Sequence, residues 1–395
     1  MSPHRLIPDV RRREAISDGH EPVPAGWREI RPTRAEIDLD ALVANASWLK
    51  KRIGRAALLG VIKADGYGHG AVVVARALTE KAAVAGVCVS LTEEGLELRG
   101  AGIPGPILVM GGTYCGAHAD VAALDLTPVV FDLGDVEAFA RTGRPVGIHV
   151  KLDTGMSRLG VQPADLDRFL ESCARFPSVR IEGLMTHLAC ADSDPELTRL
   201  QLARLAAAVP RAAAQARGRL VVHAANTAGT LAFPEAHLDA VRPGLALYGG
   251  GHPELRPVLR FVTRVAALRD LHAGDTVSYG AHFRAQGPTR VATLPVGYAD
   301  GYPRRLSAPV ASRAAEVLVR GRRCPVIGSV CMDMLMVDVT ALGDLVSIGD
   351  EVVLIGRQGD EQVTAAELAE RAGLIEYEIT CGISKRVPRH VPKGG

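Results

Sequence analysis

The stretch Val61-Ile62-Lys63-Ala64-Asp65-Gly66-Tyr67-Gly68-His69-Gly70 decides how this chain is read. It continues an apolar run from Ala56 to Ile62, the pattern of a buried strand. It leads into a helical pattern from Ala71 to Leu78. Lys63 therefore stands where a buried strand ends, and three glycines follow within the next seven residues. In α/β proteins that position is the catalytic rim, where strand ends meet substrate. Desolvation of a lysine there favours its neutral amine, a nucleophile toward carbonyls. The stretch has neither the GK[ST] of a P-loop nor the GxGxxG spacing of a dinucleotide site. Taken alone, it also fits a surface lysine beside a Gly-rich turn.

The 395 residues allow two domains of ordinary size, and 47% hydrophobic content allows a sizeable core. A net charge of +2 implies neither a nucleic-acid nor a membrane-surface partner. No apolar run reaches membrane-span length, and residues 1–32 read as a polar extension without a signal core. Seven widely spaced cysteines with no CxxC pair fit a reducing cytoplasm and give no structural zinc site; no metal is expected.

Along the chain, a β-like segment Ala35–Leu39 is followed by a helix for which Asp40 is an N-cap candidate. Eight apolar strands then alternate with Ala-rich helices: Leu58–Ile62, Ala85–Val89, Ile107–Met110, Pro128–Phe131, Val146–Val150, Ile181–Met185, Leu220–Val222 and a short one near Val241. Pro210 is expected to end or kink the helix that begins near Glu196. This alternation predicts an α/β fold, a parallel (β/α)8 TIM-like barrel over 33–255, with an open doubly wound sheet as the alternative. From 256 to 395 strand-like runs crowd together around a single helix, Ala365–Ala372, which predicts a mostly β C-terminal domain.

Several barrel strands end in polar residues that an apolar core would not tolerate. Lys151–Gly160 brings a lysine, Asp153 and Arg158 together, although such a cluster is commonly a salt-bridged loop. His187 follows another strand, where a lone histidine is more often a hydrogen-bonded core residue. His223–Gly229 ends a third and can open a helix whose hydroxyl and N–H groups suit a phosphate. Val241–Gly249 supplies Arg242 and Gly244. Four polar strand ends in order, after a lysine at the first, are unlike chance.

This succession resembles the alanine racemase family from about residue 33 to 390. Val277–Gly280, Pro295–Tyr302, Cys331–Asp333 and Ile383–Arg389 carry the same resemblance. It implies a homodimer of two-domain subunits that binds pyridoxal 5′-phosphate (PLP) on the barrel. By resemblance, Lys63 holds PLP covalently and serves as a base, and Tyr279 from the neighbouring subunit is the second base. An unperturbed tyrosine, with a pKa of about 10, is a poor base at neutral pH, so His187 and Arg242 are its expected supports. Arg242 faces the pyridine nitrogen, braced by His223, with Asn226 in the same motif. Tyr67, Thr227 and the backbone at Gly244 and Leu245 hold the phosphate. Arg158 and the Met332 backbone bind the substrate carboxylate. Lys151 matches a lysine often carbamylated in the family, which positions Arg158. Tyr298, Asp333 and Tyr302 match the region that lines the substrate entrance. One departure stands out: Lys385 occupies a place where the resemblance calls for a tyrosine that reaches the phosphate.

The implied activity is interconversion of L- and D-alanine for peptidoglycan in a bacterial cytoplasm. The alternatives are a racemase for serine or a wider range of amino acids, and a non-catalytic PLP-binding protein. A related PLP barrel decarboxylase is disfavoured by Arg242, because that class pairs the pyridine nitrogen with an acid.

Overall fold

Residues 31–308 and 314–392 are described in the computed structural model. The expected extension over 1–32 lies outside them, apart from its last two residues. The first strand, β1 (Arg34–Ile37), runs into a helix, Leu39–Ile53. The Asp38 carboxylate, not Asp40, caps this helix by accepting from the Ala41 amide at 2.8 Å. Leu42, Ala46, Leu49 and Ile53 form its buried stripe, at helical spacing.

The eight expected apolar runs close into a parallel barrel. Its strands are β2 (Ala57–Val61), β3 (Gly86–Val89), β4 (Ile107–Val109), β5 (Thr127–Val130), β6 (Val146–Lys151), β7 (Val179–Met185), β8 (Val221–His223) and β9 (Ala240–Val241). Closure is made where Ala57 and Leu58 of β2 pair with Ala240 and Val241 of β9. β3 and β4 are buried at every residue, because helices cover one face and the barrel core fills the other. The open-sheet alternative is thereby excluded.

Pro210 does not end its helix, which runs from Pro195 through Gln215. Proline cannot bond to the carbonyl four residues earlier. Ala206 and Pro210 both face solvent, where water can serve that carbonyl.

After the barrel, β10 (Leu259–Arg264) begins a mostly antiparallel sheet. In order it contains Ala267–Leu271, Thr289–Leu294, Leu335–Asp338, Arg322–Ile327, Glu316–Val319, Glu351–Gln358, β10, β1 and Arg389–His390. Strand β1 thus belongs to this sheet rather than to the barrel, pairing with β10 from Arg34–Val262 to Ile37–Leu259. The expected helix Ala365–Ala372 is present, capped by Thr364. Both ends of the described chain therefore meet in one sheet beside the barrel. All seven cysteines are unpaired thiols.

Inside the barrel, β6 and β7 carry an unusual contact. Gly183 of β7 faces His149 of β6, and a Cβ built at Gly183 would lie 2.5 Å from the imidazole ring. Glycine is needed there to admit the ring between strands. Gly183→Ala should lower stability by about 1–3 kcal/mol through overpacking, measured by urea unfolding. An unchanged midpoint would show that the ring has room to move.

Candidate active site

Lys63 is the second residue beyond β2, at the carboxyl end of the barrel. The residues after it do something sequence patterning did not predict. Ala64, Asp65, Gly66 and Tyr67 have φ of 52, 54, 61 and 54°, a left-handed turn rather than the start of a helix. Each non-glycine residue in such a turn costs about 1–2 kcal/mol. Local bonds offset part of this: the Gly68 amide donates to Ala64 O at 3.0 Å, and the Ala71 amide to Asp65 Oδ1 at 2.8 Å. Arg389, from the last strand, donates to Gly68 O at 2.9 Å.

Tyr67 is carried inward by this turn and is 7% exposed. Its ring packs 5.0 Å from Tyr248 and 5.4 Å from Tyr377, and burial pushes its phenol above the ordinary tyrosine range. The Tyr67 hydroxyl covers Gly244, where a Cβ would lie 2.3 Å from it. Thr227 Oγ1 accepts from the amides of Gly244 at 3.1 Å and Ala246 at 3.3 Å, leaving its own proton to donate. Thr227 opens the helix Thr227–Ala232, which Asn226 caps by accepting from Gly229 at 2.9 Å. Leu245 follows Gly244 in the same turn. Tyr67, Thr227 and the Gly244–Leu245 backbone thus make one small polar cradle.

Arg242 follows β9 and is 2% exposed. Its Nη1 donates to His223 Nδ1, and its Nη2 donates to Thr186 O at 2.8 Å and Ala224 O at 3.1 Å. No hydrogen bond among the described residues uses its Nε–H. Because arginine only donates, His223 Nδ1 must be the acceptor and its proton sits on Nε2. That Nε2–H donates to His149 Nδ1 at 2.7 Å, which fixes both tautomers. Burial, then the Arg242 charge, holds both histidines below the usual range, His149 at about 4.

Lys151 closes β6 and is 6% exposed. Burial first, then Arg158, Arg242 and Lys63, bring its amine down to about 8. The loop that follows is pinched shut by Val161 N–Lys151 O at 2.8 Å and Asp153 N–Val161 O at 2.9 Å. It presents Arg158 to solvent. Asp153 Oδ1 is occupied by the amides of Gly155, Met156 and Ser157, each at 3.0 Å. His187 lies beyond β7 and is held at about 3 by burial, then by Arg242, Arg158, Lys151 and Lys63. Among the described residues these four cations form no ion pair. A barrel mouth lined by uncompensated cations is built to receive anionic groups.

Tyr279, Met332 and Asp333 are elsewhere. Tyr279 stands 76% exposed on a turn after the barrel, and Met332 is 52% exposed. Asp333 pairs with Arg386 at 2.8 Å. Tyr302, expected at the entrance, is 1% exposed and belongs to the core. Lys385 is exposed and makes no hydrogen bond or ion pair among the described residues. Tyr377 is the tyrosine that packs on Tyr67, so the departure at Lys385 leaves the cradle intact. Sequence reading also missed His149, although it lies two residues before Lys151 and so shares its face of β6.

Residues 37–252 match the alanine racemase N-terminal domain and residues 258–391 the alanine racemase C-terminal domain. This chain belongs to the alanine racemase family. It is 48% identical to an alanine racemase of Symbiobacterium thermophilum, over 91% of this chain and 97% of the relative. The crystal structure of alanine racemase from Streptomyces lavendulae superposes with a TM-score of 0.85 at 37% identity, covering 92% of this chain and 98% of that one. Alanine racemase from Bartonella henselae with covalently bound pyridoxal phosphate superposes with a TM-score of 0.81 at 30% identity, over 91% and 99%.

The buried histidines set a pH dependence. His69 and His149 are held at about 4 and His187 at about 3, in each case by burial first. The unfolded chain, with ordinary histidines near 6.5, binds more protons than the folded chain between about pH 4 and 6.5. Stability is complete above that window and should fall on acidification through it, by up to about 1.4 kcal/mol per pH unit for each buried histidine. Urea midpoints measured from pH 7.5 to 4.5 check this; a flat profile would contradict the neutral Arg242–His223–His149 chain.

Proposed function

We propose that this chain racemises alanine with PLP held by Lys63. The observation that carries the reading is the combination of Lys63, the Tyr67–Thr227–Gly244 cradle and the four cations at one barrel mouth. The residues present suit that cofactor. The cradle offers hydroxyl and backbone groups to a phosphate, and Gly244 leaves room that a side chain would fill. Arg242 keeps its Nε–H for a ring nitrogen, and as a donor it cannot receive that nitrogen's proton. Bound PLP would supply an electron-withdrawing ring conjugated to the substrate nitrogen.

The chain's own groups then do the rest. Lys63 Nζ moves the Cα proton on one face of the substrate. A proton lost from one face must return on the other, which a single lysine cannot serve. We assign that role to the Tyr279 hydroxyl of a second copy. The assignment is supported by the exposure of Tyr279, Tyr298, Met332 and Met334 on one side of the β-rich part. Their loops are tied by Tyr298 N–Cys331 O and Ala299 N–Met332 O, both 3.0 Å. Exposed aromatic and methionine side chains of this kind suit burial against a partner. His187, neutral at pH 7, sits beside Arg242 as the support of the tyrosine. Arg158 takes the substrate carboxylate, with the Met332 amide of the second copy. Lys151, near 8, has enough neutral amine to accept carbon dioxide and become a partner for Arg158.

The domains on this reading are 33–255 and 256–395, with β1 reaching across to the second sheet. Among the described residues no helix is long and apolar enough to cross a membrane. A cytoplasmic enzyme feeding peptidoglycan synthesis is the cellular role we assign.

Chiral chromatography of L-alanine incubated with the PLP-loaded protein, with L-serine in parallel, tests substrate and reaction together. Tyr279→Phe should keep the cofactor absorbance while turnover falls at least about 100-fold. Lys63→Ala should lose covalent cofactor. Mixed and allowed to exchange subunits, the two inactive variants should recover up to about a quarter of wild-type activity, because half the dimers carry one intact site. Dimers that form without recovery would place Tyr279 in its own subunit's site or outside catalysis.

A further inference from the structure

We propose that Glu94 is a positioning residue for the Lys63 amine, acting by clamping the left-handed turn to the rim of the neighbouring barrel strand. The inference rests on the reading of Lys63 given above. Glu94 lies in the first turn of the helix Thr92–Gly100, just past β3. Its Oε1 accepts from the Ala64 amide at 2.6 Å. Its Oε2 accepts from the Ser90 amide at 2.7 Å and the Leu91 amide at 3.0 Å. A residue serving only to cap its own helix would need the second oxygen alone. The first reaches across to another strand's loop.

The place it reaches matters. The peptide plane that carries the Ala64 N–H also contains the Lys63 Cα. Holding that N–H holds the Lys63 Cα and carbonyl, and so restricts the directions in which the lysine side chain can leave the backbone. The later part of the turn is held by its own bonds, Gly68 N–Ala64 O and Gly70 N–Asp65 O, and by Arg389 on Gly68 O. At its beginning, the Ala64 amide is held by Glu94. Gly66 N–Ile62 O at 2.9 Å also spans this end, so without the Glu94 bond the Ala64 amide alone loses its partner, where Ala64 and Asp65 gain by relaxing to negative φ.

A carboxylate suits this place because all its sites accept, and three amide donors face it from two directions. Glutamine has the same shape but one accepting oxygen. In Glu94→Gln the amide nitrogen must oppose either the Ala64 N–H or the Ser90 and Leu91 N–H groups. Glu94→Asp keeps the charge and shortens the reach, so it retains one set of bonds at most.

The test compares E94Q and E94D with Glu93→Gln, an exposed neighbour in the same first turn. Amide hydrogen exchange of 64–70 is measured on the cofactor-free chain. Exchange at Ala64 to Tyr67 should rise about tenfold in E94Q, matching the loss of about 1.4 kcal/mol. The absorbance of lysine-bound PLP should require about tenfold more cofactor, and kcat should fall further than KM rises. E94D should show the same directions, and E93Q none of them. Faster exchange confined to Ser90 and Leu91, with normal cofactor absorbance and kcat, would reduce Glu94 to a helix cap and overturn the proposal. If the wild-type chain neither takes PLP covalently nor racemises, the functional reading fails, while exchange at Ala64 still decides whether the clamp exists.

Discussion

The buried guanidinium of Arg242 is the constraint around which the site is arranged. A cation at 2% exposure, without a carboxylate partner, is held by carbonyls and by a histidine that must stay neutral. That demand fixes the tautomer of His223, which fixes that of His149, and the His149 ring needs glycine at 183 for room. Burial first, then this charge, depresses His187, and burial, then Arg158, then this charge, depress Lys151. A carboxylate in place of these neutral partners would satisfy Arg242 better but would cancel the field at the barrel mouth. The arrangement leaves that field for phosphate and carboxylate groups brought from outside.

The β-rich part does more than follow the barrel. Arg389 in its final strand grips the Gly68 carbonyl, and Tyr377 packs on Tyr67, so the C-terminal segment braces the turn after Lys63. The parallel pairing of β1 with Arg389–His390 ties both ends of the described chain together at this place. Glu94 holds the opposite end of the turn from the helix that follows the neighbouring strand. A left-handed turn of mostly non-glycine residues persists because it is held from several elements at once. Strain of this kind gives the Lys63 amine a defined position, since a relaxed loop would sample many.

Much of this was legible in the sequence. Each barrel strand is an apolar run, because a parallel strand buried on both faces has little use for polar side chains. The polar residues at the strand ends stood out for the same reason, and Lys63, Lys151, His187 and Arg242 do come together at one mouth, with His223 buried behind Arg242. Sequence reading failed where distant contacts override local preference. Tyr302, matched to the entrance region by resemblance and not by patterning, is core. Lys385 drew attention by its motif and makes no hydrogen bond or ion pair among the described residues, while Tyr377, eight positions earlier, packs on the cradle from its own helix. Pro210 stayed inside its helix because the carbonyl it frees faces water.

By itself the sequence determined the alternation of strands and helices and, through motifs that resemble the alanine racemase family, the barrel and the family. The alternation follows from periodicity and residue type, which are local, and the family from the resemblance of whole motifs. Tertiary structure alone decided the left-handed turn, the double grip of Glu94, the neutral histidine chain behind Arg242 and the braces supplied by Tyr377 and Arg389. Each depends on groups brought together by closure of the barrel and its docking on the second sheet. The free energy of such contacts lies in distance and burial, which no spacing along the chain encodes.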